Sequence, residues 1–204
     1  MRGFQPDYRN LIDAARNRKA RRVPLYEHII SESVIKTLTG LDLSPSGQAD
    51  HAGKVEGYRR YAEFGLRMGY DAIPFEKCVT RVVQGGEALC GRAPALFQSR
   101  ADIENYPWED VPRRYIAGFE ADFRALAEAL PPGMKAVGGV GNGIFETAQD
   151  FVPLTELAFL KVDDPDAYAL LFKKVGDVFA TLWAWFLDRH GDAFAVCRMG
   201  DDLG

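Results

Sequence analysis

Cysteine is scarce in this chain, with three in 204 residues at Cys78, Cys90 and Cys197. An odd, widely spaced set argues against a disulfide framework and lacks zinc-ligand spacing, so the thiols read as reduced. Long apolar runs are missing too. The N-terminus has no secretory h-region, and no uninterrupted apolar span reaches membrane length, which leaves the cytoplasm as the default and a membrane out of account. Positive charge is in deficit: 25 Lys and Arg against 29 Asp and Glu give a net charge of −4. A nucleic-acid partner needs a basic face, so that class is set aside. The local cluster Arg16, Arg18, Lys19, Arg21 and Arg22 sits at a helix C-terminus, where cations answer the dipole and the unpaired carbonyls. No low-complexity linker and no short repeat divides the sequence, so residues 1–204 read as one domain.

What is present is a 47% hydrophobic, 26% charged chain, enough to bury a sizeable core. The organising stretch is Ala193-Phe-Ala-Val-Cys-Arg-Met-Gly-Asp-Asp-Leu-Gly204, a strand-length apolar run that ends on two carboxylates. Arg22-Val-Pro-Leu-Tyr-Glu-His28, Tyr70-Asp-Ala-Ile-Pro-Phe-Glu76 and Lys135-Ala-Val-Gly-Gly-Val-Gly-Asn142 have the same form, and helical pattern follows each. Short apolar strands that deliver polar groups at their ends, alternating with helices, predict an α/β fold with a parallel sheet, in which Arg22–Glu27, Tyr70–Phe75, Lys135–Val140 and Ala193–Met199 are adjacent in that order. Helices are expected over Asp7–Arg18, Ser31–Leu38 with Ser31 as cap, Asp50–Met68 with Gly69 as C-cap, Pro112–Leu130, Gly143–Val152 and Asp164–His190, with a loop over Gly40–Gln48. Val79–Gln84 and Pro94–Gln98 around Gly85-Gly86 suggest a small β-hairpin insertion.

Candidate chemistry collects at the strand ends. Glu27 and His28 close the first segment, and a carboxylate beside an imidazole suits proton transfer, although alternation lets only one of the two face a common site. Glu76 follows the second, and Asp201 and Asp202 follow the fourth. These five are the catalytic candidates, with capping of the next helix the favoured reading for at least one of the two aspartates. Phe75, Gly141, Asn142 and Glu146 are the substrate-binding candidates. The glycines of Gly138–Gly143 make room for a ligand or for close packing; the dinucleotide fingerprint needs a third glycine and an acidic strand end that the sequence does not supply in register. No metal ligand is assigned.

The succession of Asn10–Ala15, Arg22–Tyr26, Gly69–Phe75, Tyr106-Pro-Trp108, Gly141-Asn-Gly143 and Gly200–Gly204 resembles the uroporphyrinogen decarboxylase superfamily of (β/α)8 barrels, which includes cobalamin-dependent methyltransferases. The resemblance implies the N-terminal half of a TIM barrel, with about four of its strands. The decarboxylases carry an arginine-bearing Met-Arg-Gln-Ala-Gly-Arg segment where this chain has Glu27-His-Ile-Ile-Ser-Glu32. Their aspartate after the second strand falls near Glu76, and their tyrosine after the third falls near Gln149. The methyl-transfer branch is therefore the closer analogy. It implies a corrinoid, a thiol acceptor activated on zinc, a small-molecule substrate and a corrinoid protein as partner, with metal ligands beyond residue 204. Uroporphyrinogen decarboxylation, or a non-catalytic incomplete barrel with a binding role, are the alternatives.

A half barrel leaves apolar inner residues and strand edges uncovered. Residues 1–204 alone are expected to dimerise or aggregate and to be inactive, and a protein extended by about 130 to 170 residues to be soluble. Light scattering coupled to size exclusion at matched concentration checks this; a well-behaved monomer of residues 1–204 would refute it.

Overall fold

The structure is a computed structural model that describes residues 4–43 and 50–202. It is a mixed α/β protein in which helices outnumber strands. The helices are α1 (Arg9–Ala15), α2 (Glu32–Thr39), α3 (His51–Met68), α4 (Arg100–Asn105), α5 (Asp110–Ala129), α6 (Ile144–Phe151), α7 (Leu154–Asp163) and α8 (Pro165–His190). The strands β1 (Ala72–Cys78), β2 (Lys135–Gly141) and β3 (Phe194–Cys197) form one parallel sheet in the order β1-β2-β3. Ala136 lies opposite Phe194 and Val137 opposite Val196, with an irregularity between the two pairs. Beyond the ladder, the Arg198 amide still donates to the Gly138 carbonyl at 2.9 Å.

Local chemistry explains most boundaries. Ser31 and Asp50 accept from the amides of Val34 and Gly53 and start α2 and α3, while Gly40 and Gly69 end them in the left-handed conformation that a Cβ disfavours. Two helices, α4 and α7, are additional to the sequence expectations. The signal for α4 was present, since Ser99 and Asp102 form a reciprocal capping box. The expected Gly40–Gln48 loop includes residues 44–49, which lie outside the described residues.

Two expectations need correction. Arg22–Glu27 is not a strand. Pro24 has no amide to give to a ladder, Arg22 is held by side-chain bonds, and Val23 and Leu25 are 85% and 50% exposed, so the segment stays out of the sheet, which among the described residues has three strands. Nor is there a hairpin after β1. Val79–Val82 forms a 3-10 turn, and the backbone donors beyond it go to the end of α6: Ala88 N to Asp150 O at 3.2 Å and Leu96 N to Phe151 O at 2.7 Å. A buried amide has one hydrogen to give, and these are not given to each other.

The chain divides into two compact units, residues 1–76, 119–139 and 189–198 in the first and the remainder in the second. In the first, Leu11 of α1 packs with Ala72, Val137 and Val196 on one face of the sheet. Alternation sends Phe75 to the opposite face, where its ring meets Tyr58, Phe123 and Phe194 at centroid distances of 5.2, 5.5 and 6.5 Å. Burying an aromatic ring in this way stabilises by about 1.5 to 3 kcal/mol. In the second unit Phe97, Tyr106, Trp108 and Phe151 form an aromatic cluster, and Val175 and Val178 of α8 share an apolar patch with Val79, Val111 and Phe151.

The first unit is tied together by Asp71, which is fully buried just before β1. Its carboxylate accepts from the Asp7 amide at 2.6 Å, from Asn10 Nδ2 at 3.3 Å and from Arg22 through both Nε and Nη2. Arg22→Met strands this charge with too few donors and is expected to cost about 3 kcal/mol, whereas Asp71→Asn, which keeps the shape without the charge, should cost about 1 to 2 kcal/mol. Urea unfolding midpoints decide the order; a larger loss in Asp71→Asn would show that Arg22 is not the neutralising partner.

Candidate functional site

In the first unit a charged cluster lies at the carboxyl end of the sheet. Glu76 leaves β1 on the face opposite Phe75, and Arg198 follows β3 in step with Val196, so alternation directs both to the same side. Arg198 Nη2 is 2.9 Å from Glu76 Oε2. It also lies 2.8 Å from Nδ1 and 3.1 Å from Nε2 of His28, whose Nε2 is 3.6 Å from Glu76 Oε1. Tyr26 bonds the same guanidinium; burial pushes its phenol up, the Arg198 charge pulls it down, and the rise wins. The His28, Glu76 and Arg198 side chains are all partly open, so the cluster is reachable by solutes.

The arrangement has a definite chemical capacity. A carboxylate beside an imidazole can pass a proton, and a guanidinium can hold an anionic group or neutralise one that forms. Arg198 Nε is buried without a partner, so the ion pair with Glu76 uses one edge of the guanidinium only.

Of the remaining candidates in this unit, Glu27 is exposed and lies on the side of Tyr70, whose phenol is pushed up by burial and then by the Glu27 charge. Phe75 is buried in the aromatic cluster and lines a cavity of about 170 Å³ with Ile30, Ile35, Leu43, Tyr58 and Tyr61.

The second unit brings together a different set. Asp201 accepts from the amides of Phe145 at 2.9 Å and Glu146 at 3.0 Å, so its carboxylate occupies the N-terminus of α6. An anion at that position meets the unpaired amides and the positive end of the dipole. The glycine loop thus has its anion already, from within the chain. Gly143 must be bare here, because a Cβ would collide with the Asp201 carboxyl group. Glu146 turns back to the Gly143 amide at 3.4 Å. Asn142, in the left-handed conformation that Asn tolerates better than most residues, accepts from Thr80 N at 3.2 Å and Thr80 Oγ1 at 3.1 Å. Gly141 lets its backbone approach Lys77, whose carbonyl carbon and oxygen would each lie 3.1 Å from an added Cβ. Asp202 is exposed and accepts from Gln149 Nε2 at 3.2 Å.

Sequence reasoning passed over Arg198 and Tyr26. The signal for Arg198 was an arginine inside an otherwise apolar strand run, two residues after Val196 and so on its face. Tyr26 shares parity with His28.

With this geometry in hand, comparison with known proteins returns no matching family model, no similar curated protein and no similar solved structure.

The close fit at α6 gives a direct test. Gly143→Ala is expected to destabilise by about 1 to 3 kcal/mol through its collision with Asp201, and Asp201→Gly by about 1 kcal/mol through loss of the cap. The double variant should lose less than the sum, since removing the carboxylate relieves the collision. Strict additivity in thermal or urea unfolding would show that the two do not touch.

Proposed function

We propose that this chain belongs to an enzyme of the uroporphyrinogen decarboxylase superfamily type, forms part of a (β/α)8 barrel, and acts in the cytoplasm on an anionic small molecule at the carboxyl end of its sheet. The observation that carries the reading is the convergence of Glu76, Arg198 and His28 at that end, the place where parallel sheets with covering helices put their ligands. The order of the three strands and the helices between them supports the barrel assignment. In this reading Arg198 holds the substrate's anionic group, Glu76 and His28 move a proton, and Tyr26 orients Arg198.

Methyl transfer with a thiol acceptor, served by a corrinoid protein, is the favoured branch. The chain must be tested against the groups which that branch implies. Among the described residues no group of three His, Cys, Asp or Glu side chains could hold a metal, so zinc has no fitting site among them. Decarboxylation of a porphyrinogen is the second reading, and Arg198 favours it: Glu27–Glu32 brings no arginine, yet the fold supplies a guanidinium just after β3. Among the described residues no helix is long and apolar enough to cross a membrane.

The experiment runs both assays on the purified protein, methyl transfer from methylcobalamin to a thiol and carbon dioxide release from uroporphyrinogen, with Glu76→Gln and Arg198→Lys alongside. Glu76→Gln is expected to lower kcat by about 10²- to 10⁴-fold, the usual worth of a positioned acid or base, and Arg198→Lys to raise KM. Activity that survives both changes overturns the site assignment. Absence of both reactions in the folded, extended protein favours a binding role instead.

A further inference from the structure

The segment Gly85–Gly91 in the second unit hangs from the last turn of α6. Three of its residues, Gly85, Glu87 and Gly91, have φ values of 75°, 84° and 66°. A glutamate holds that conformation only where its surroundings impose it. The imposing group is Asp150. Its Oδ1 accepts from the Glu87 amide at 2.9 Å, its carboxyl also receives the Leu89 amide, and its own carbonyl accepts from Ala88 at 3.2 Å.

Asp150 is 3% exposed, and its Oδ2 is buried with no partner. Gly86 packs so closely that a Cβ would collide with that oxygen. The charges acting on Asp150 are Glu87 on the segment itself and Glu146 one turn earlier on α6, both negative. Tyr106, between α4 and α5, feels Asp150 together with Arg114 and Asp110, but Arg114 is paired with Asp110 at 3.3 Å. Burial first, and the two carboxylates after it, oppose ionisation; the donated amides favour it. The balance holds the Asp150 carboxyl above its ordinary value.

We infer that Asp150 is a proton-controlled latch on the Gly85–Gly91 segment, closed while its carboxyl is neutral and loosened when it ionises. A neutral carboxyl keeps Oδ1 as acceptor for the amides and places no charge on the walled-in Oδ2. An ionised one puts half of its charge where nothing solvates it. Because the latched form is the one with the raised pKa, its advantage is complete below the ordinary value of 3.8 and is lost as pH rises through the raised one. Between those limits the opening equilibrium grows by up to about tenfold per pH unit, then levels off.

Amide hydrogen exchange of Glu87, Ala88 and Leu89, corrected for intrinsic rates over about pH 3.5 to 8, reads this directly. Protection should fall with rising pH in the protein as it stands. It should stay flat in Asp150→Asn, which keeps the shape and Oδ1 but never ionises. A flat profile in the unaltered protein, or the same slope in both, overturns the latch. Should Asp150→Asn fail to fold, the carbon-13 shift of the Asp150 carboxyl in the unaltered protein decides: a midpoint above the ordinary aspartate range supports the latch, and one within it refutes the proposal.

Discussion

The first unit depends on one buried charge. Asp71 has no exposure to water, and its carboxylate survives in the core because an amide, a carboxamide and a guanidinium, all from the first 22 residues, surround it. Those residues have no ladder to hold them, since Arg22–Glu27 pairs with no strand. The contact with Asp71 fixes where the N-terminal segment meets β1. Six residues after Arg22 along that segment stands His28, and five after Asp71 along the strand stands Glu76. A structural ion pair at the start of the strand thus sets the approach of two candidate side chains at its end.

The second unit shows the same logic, with side-chain oxygens of the chain itself answering backbone donors. The α6 amides are answered by Asp201, the Thr80 amide by Asn142, and the amides of the Gly85–Gly91 segment by Asp150. Each is a side-chain oxygen meeting backbone donors that cannot be left unpaired when buried. Three of the residues singled out from sequence as possible chemistry, Asp201, Asn142 and Glu146, are used in this way.

Much of the helical layout was legible because its signals are local. Ser31, Asp50 and Gly69 cap where their side chains, or lack of one, require it, and the α8 apolar residues recur at helical spacing. The strands were legible as apolar runs, but pairing was not: Arg22–Glu27 has strand composition, and whether it joins a sheet depends on neighbours and on Pro24. The hairpin failed for the same reason, since Asp150 and Phe151 lie more than 50 residues away from the donors they capture. Glu76 and His28 could be nominated from strand ends. Arg198 could not be ranked, because an arginine in a strand points to a site only once that strand's inward face is known.

That arginine changes what the cluster can do. Among the described residues Glu76 is the carboxylate bonded to Arg198 Nη2, and the same nitrogen reaches His28. An arriving anion that takes the guanidinium must compete with Glu76, and success leaves Glu76 with less positive charge beside it. A carboxylate so released can turn to the His28 ring, whose Nε2 lies 3.6 Å from Glu76 Oε1. On the proposed reading, an incoming anion and the Glu76–His28 pair therefore meet at one nitrogen atom. Lysine at that position could keep the charge, but it would not keep a planar group that touches a carboxylate and an imidazole at once.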